Sequence, residues 1–173
     1  VTGKDASGAT VQKMAITITT TLSANPTQSG KLSLVTGAPA VKAQMGHIEE
    51  DTGIEIPLDR AGAEYMVLLS SMEIINFPEY LGAIARIFKQ AGKTWTLCSE
   101  AFEATNSGIQ IGVSDLARVI VSRIVSGAEK LKVKTVISPE CGHAYMALRW
   151  EGPNLIGRPY SFNVQHILEI LDE

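Results

Sequence analysis

The thiols and imidazoles of this chain are few: two cysteines, Cys98 and Cys141, and three histidines, His47, His143 and His166. Cys141 lies in the run Ser138-Pro139-Glu140-Cys141-Gly142-His143. A thiol between a strand and a helix start sits at the positive end of the helix, a setting that activates cysteine nucleophiles. Gly142 lets the backbone turn tightly there. A cysteine hydrolase would use Cys141 as nucleophile and a histidine as its base. Residues two apart on a helix do not face each other, so His143 would have to turn back. His47 and His166 have no visible reason in the sequence to approach. A metal site would take Cys98, Cys141 and His143 as thiolate and imidazole ligands with a fourth from elsewhere, a set suited to zinc. That spacing is not a compact metal knuckle, and four-thiolate iron–sulfur ligation cannot be completed from two cysteines. The bland alternative is two thiols packed near a sheet edge, because free cysteine is among the most buried residue types.

These residues need elements to position them. The apolar run from Ala63 to Leu69 suits a buried parallel strand. Asn76 offers a helix cap with Pro78 just inside, and Tyr80, Leu81, Ile84, Ile87, Phe88 and Ala91 form one helical face ended by Gly92. Residues 94–98 read as a second strand. Ser114 or Asp115 caps the next helix, which carries Leu116, Val119, Ile120, Ile124, Ala128 and Leu131. Residues 135–138 form a third strand, followed by a helix from Cys141 to Trp150 that Gly152-Pro153 ends. Val164, Ile167, Leu168 and Leu171 mark a last helix over 164–171. On this reading His166 lies on its polar side. The alternation predicts an α/β, Rossmann-like three-layer domain with a mostly parallel sheet, whose sites collect at the carboxyl ends of the strands. Ser70 and Ser71, Cys98 and Ser99, and Glu140 and Cys141 all fall there.

Residues 1–60 are poorly patterned and read as a partly helical N-terminal arm or linker before the domain at 61–173. Val11, Met14, Ala15, Ile18 and Leu22 recur at helical spacing, although residues 16–19 read equally as strand, and from Leu32 to Arg60 only short apolar runs appear. His47 falls in this irregular part and is expected to be exposed.

The chain has 173 residues, 45% hydrophobic and 19% charged, with a net charge of −3. It is too apolar for a disordered chain, lacks a run of about 18 apolar residues that would span a membrane, and has no basic footprint for nucleic acid. No Gly-x-Gly-x-x-Gly or Walker loop follows a strand. The small number of cysteines and the absence of a signal peptide point to a reducing, cytoplasmic setting. The low charged fraction and a first residue that is not Met are read as marks of a piece of a larger protein.

The stretch Val136-Ile137-Ser138-Pro139-Glu140-Cys141-Gly142-His143-Ala144-Tyr145, with Leu148-Arg149-Trp150-Glu151-Gly152-Pro153-Asn154 after it, resembles the cysteine-rich (CCG) domains of heterodisulfide-reductase-like iron–sulfur proteins. The likeness is to the D-type heterodisulfide reductase polypeptides, including the K subunit of the sulfite-reduction-associated membrane complex. Residues 57–64, 95–98 and 162–167 support it, so that it covers about Ile56 to Glu173. A complete unit of that family supplies a lone cysteine after one strand, a Cys-Cys pair after the next and Cys-x-x-Cys after another, and these hold an iron–sulfur cluster that reduces disulfide-type substrates. Here the lone position is Ser70 or Ser71, the pair is Leu97-Cys98 or Cys98-Ser99, and the last motif is Cys141-Gly142-His143-Ala144. Two of five thiolates are present. The resemblance therefore implies a degenerate N-terminal copy with no catalytic residues of its own. Such a copy is the structural and partner-docking half of an oxidoreductase subunit whose other half holds the cluster. Its partners would be the remaining domains, other redox-complex subunits and a thiol/disulfide substrate, with any membrane attachment made through those subunits. In this picture Cys98, Cys141 and His143 line a pseudo-site supported by Ser70, Ser71, Ser99, Glu140 and Gly142. The alternatives are a zinc or partial-cluster site on those three residues, and a Cys141-dependent enzyme.

Overall fold

The computed structural model describes residues 3–4, 10–11, 38–69, 73–74, 77–101, 109, 112–139 and 141–172. The chain divides into two compact units, Val1–Ala40 and Val41–Glu173. In the first, β1 (Gly3–Lys4) and β2 (Thr10–Val11) pair antiparallel, Gly3 opposite Val11. Val11 is therefore in a strand, not at the start of a helix; Met14, Ala15, Ile18 and Leu22 lie outside the described residues.

A helix, α1 (Ala38–Thr52), occupies a stretch that shows only short apolar runs in the sequence. It has few apolar residues, so periodicity does not announce it; Met45 and Ile48, one turn apart, nevertheless enter the core. Its end is fixed locally. Gly53, at φ 63°, donates its N–H to the Glu49 carbonyl, and the Ile56 N–H donates to the Glu49 carboxylate at 2.6 Å.

Four strands then form an all-parallel sheet: β3 (Tyr65–Val67), β4 (Trp95–Thr96), β5 (Thr135–Ser138) and β6 (Asn163–His166), in the spatial order β4-β3-β5-β6. Between β3 and β4 runs α2 (Pro78–Ala91), and between β4 and β5 runs α3 (Ser114–Leu131). The sheet is covered on both faces. Tyr65, Val67 and Leu69 pack with Met45, Ile48, Leu81, Ile84 and Phe88 on one side. Met66 and Leu68 pack with Val121, Ile124, Val125 and Leu148 on the other. This period-2 division of a continuously buried strand gives the three-layer α/β/α arrangement.

Several predicted boundaries shift. The α2 cap position is Phe77, with Asn76 outside the described residues; Pro78 opens the helix and Gly92, at φ 63°, closes it as expected. Val113 takes the α3 cap position without a side-chain bond, while Asp115, inside the first turn, pairs with Arg118 at 2.9 Å. The helix after Cys141 does not stop at Gly152-Pro153. It runs as α4 (Gly142–Met146), a π-helical turn (Ala147–Glu151) and α5 (Gly152–Ile156), ending at Gly157 with φ 73°. Pro153 has no N–H to donate to a carbonyl of the preceding π turn, so another donor must take that place. The Leu148 carbonyl within the π turn accepts the Tyr160 hydroxyl at 2.7 Å. A Cβ at position 152 would overlap that hydroxyl, so glycine is required.

The expected helix over 164–171 is in fact β6 followed by a short helix, α6 (Ile167–Leu171). The apolar positions do fit a helical repeat, but pairing of residues 163–166 with β5 overrides it: Val164 buries on one face of the sheet and Ile167 on the other. Both outer edges of the sheet are covered. Along β4 the Pro57–Asp59 segment exchanges backbone bonds with Leu97 (2.8 and 2.9 Å). Along β6 the Val164 carbonyl accepts Arg149 and the His166 N–H donates to Glu169. Among the described residues no helix is long and apolar enough to cross a membrane.

Candidate functional site

The chain leaves β3 for β4 on one side and crosses back to β5 on the other, so the order reverses between β3 and β5. In open parallel sheets ligands bind in the crevice outside the carboxyl ends at such a point. Cys98 follows β4 and Cys141 follows β5, as the sequence predicts. Ser70, Ser71 and Glu140 belong to the same edge by sequence but lie outside the described residues.

Cys98 is a core residue, 4% exposed, grouped with Met66, Leu68, Ala101, Val125 and Ala128. Its Sγ lies against α3, where a Cβ on Gly127 would come within 2.9 Å of it. Burial pushes the thiol pKa up, and the nearby Asp59 and Glu100 carboxylates push the same way, against backbone hydrogen bonds from Glu100 and Ala101. A metal ligand must give up its proton, and this surrounding favours keeping it. The adjoining loop is tied in place: the half-buried Ser99 donates its N–H to Asp59 Oδ1 at 2.8 Å, and Lys130 pairs with Glu100 at 2.8 Å.

Cys141 is partly exposed and acts as the N-cap of α4. Its Sγ accepts the Ala144 N–H at 3.4 Å, and its carbonyl accepts the Tyr145 N–H at 2.9 Å and the buried Ser138 hydroxyl at 3.3 Å. Gly142 and His143 are exposed in the first turn. Both thiols are free, and among the described residues no three of His, Cys, Asp and Glu gather into a group able to hold a metal. With one thiol sealed in the core, the described residues do not fit an iron–sulfur cluster or a zinc ion on Cys98, Cys141 and His143.

The residue that sequence reasoning passes over is His166. As the last residue of β6 it pairs in register with Ser138, and its ring meets Tyr145 edge-on at 5.6 Å. Tyr145 donates its hydroxyl to Glu169 at 2.9 Å, and Arg149 lies over the Tyr145 and Trp150 rings at 5.7 and 5.3 Å. The His166 N–H and the Tyr145 hydroxyl hold the Glu169 carboxyl below its usual range; burial, then Glu169, raises the Tyr145 phenol. Only the pairing of β6 with β5 brings His166 here, and no local pattern signals it. His47, as expected, is exposed; it lies on α1, 3.8 Å from Glu50.

A groove of about 360 Å³ runs beside β6 between Arg149, Val164 and Glu169, and a larger one of about 570 Å³ lies at the amino ends of β5 and β6. Neither is lined by a cysteine. No protein family, curated protein or solved structure matches the chain.

Proposed function

We propose that this domain is the structural, partner-docking half of a heterodisulfide-reductase-like iron–sulfur oxidoreductase subunit, in an assembly that passes electrons to a thiol/disulfide substrate. One observation carries the reading: of the two thiols at the carboxyl edge, Cys98 is sealed under Gly127 and Cys141 caps a helix, which leaves no ligand set on the described residues. The resemblance around Cys141 supplies the redox context. The same edge also exposes large apolar side chains, Phe77 and Val113 at the starts of α2 and α3, and Met146 and Trp150 stand exposed on the helix after β5. A docking surface would draw on such side chains, since contiguous exposed apolar area marks interaction sites. The partners are the cluster-bearing half and other redox subunits, in a cytoplasmic setting.

Anaerobic purification, followed by iron, sulfide and zinc analysis and a visible spectrum, tests this. A folded, colourless, metal-free protein is expected. Stoichiometric iron and sulfide would overturn the reading, and stoichiometric zinc would favour a site on Cys98, Cys141 and His143. The partial exposure of Cys141 favours a second reading, a Cys141-dependent enzyme. Alkylation of Cys141 at graded pH separates the two, since an ordinary thiol titration argues against an activated nucleophile.

A further inference from the structure

Where β6 hands over to α6, one imidazole closes the helix start. His166 Nδ1 accepts the Leu168 N–H at 3.3 Å, and the Glu169 carboxylate accepts the His166 N–H at 2.7 Å, so the two residues cap each other reciprocally. A ring nitrogen accepts a hydrogen bond only when it carries no proton, and an imidazolium has N–H on both. Protonation would therefore set donor against donor at Leu168 and place positive charge at the positive end of a helix. Histidine is the side chain whose charge changes near neutral pH. The groups facing it act in both directions. Glu169, on α6 itself, attracts an imidazolium, and Arg149, from the π turn, opposes one; Tyr145 from α4 presents its ring edge and shares Glu169. Ser138, the register partner on β5, is neutral.

We propose that α6 is fastened by a proton-sensitive cap, closed when His166 is neutral and opened when the imidazole is protonated. Opening draws the Glu169 carboxylate toward the ring and releases the first turn of α6. The buried Ile167 and the partly buried Ile170 then loosen from the face of the sheet on which α1 and α2 pack. The inference is independent of the redox reading, since it uses neither cysteine.

The test is a pH titration of the full chain by NMR, following the His166 ring and the Cα shifts of residues 167–171 together, in the wild type and in His166→Asn. Asparagine accepts the same bond in every protonation state and is a strong N-cap. As the wild type is acidified until the ring is protonated, the helix-to-coil ratio of α6 should fall about tenfold, the change that loss of an N-cap produces. In His166→Asn it should stay flat, while the shifts of Val125 in α3 hold steady in both proteins. His166→Ser, a second pH-independent cap, provides the same comparison if the asparagine variant does not fold. A ring that titrates without moving the α6 shifts, or an equal change in the capped variants, would overturn the proposal.

Discussion

Cys98 and Cys141 leave the same edge of one parallel sheet, on strands that flank β3 from either side, and end in opposite circumstances. Cys98 sits under α3, where a glycine makes room for its sulfur and burial keeps the thiol protonated. Cys141 is followed at once by a helix, so its sulfur stays at the surface and satisfies one of the first N–H groups of that helix. Position at a strand end does not decide what a thiol can do. The helix packed against it decides: α3 covers one sulfur, and α4 offers the other a backbone donor.

The largest loss of stability is expected in the helix that follows Cys141. Gly152→Ala would drive a methyl group into the Tyr160 hydroxyl and strip the Leu148 carbonyl of its partner. Chemical denaturation should show a loss of about 2–4 kcal/mol. On the other side, Gly127→Ala presses on the Cys98 sulfur and on Ala101. A loss of about 2 kcal/mol is expected from overpacking, and the double variant with Cys98→Ala should lose less than the sum of the single changes, because the sulfur is what the new methyl meets.

The two thiols themselves sharpen the contrast. Cys98→Ser places a hydroxyl among apolar neighbours and should cost about 1–2 kcal/mol, whereas Cys141→Ser installs a better N-cap and should change stability by less than about 0.5 kcal/mol. Equal losses in thermal melts would erase the distinction. The smallest effect is one of pH. The Cys98 thiol is raised in the folded state from an ordinary value of 9.0, so the folded protein holds a proton that the unfolded chain releases as pH rises through that region. The stability it contributes is complete below pH 9.0 and is lost as pH climbs toward the folded value; Cys98→Ala should flatten this alkaline decline in denaturation midpoints.

Much of the fold is legible because its signals are local. The continuous apolar run through Tyr65–Leu69 marks a strand buried on both faces, and Pro78 and Gly92 bracket α2 by backbone chemistry alone. What stays hidden depends on distant partners. Helix α1 has too few apolar residues to show a stripe, and β6 is a strand only because residues 163–166 find β5, against a spacing that suits a helix. The site follows the same division. The strand-end positions of Cys98 and Cys141 can be read from sequence. The seating of Cys98 under Gly127 and the arrival of His166 beside Ser138 require helix packing and strand register across 29 and 28 positions of chain, which no local window contains.

The covered sheet edges carry a consequence for handling and assembly. An open strand edge is a template on which chains polymerise, and both edges of this sheet carry partners among the described residues. They are not equally secure. The β4 edge is closed by a segment of the chain's own backbone through Asp59 and Leu97, whereas the β6 edge is guarded by the Arg149 and Glu169 side chains. Under acid or mild denaturing stress, fibre growth would begin along β6, where these two side chains stand against it.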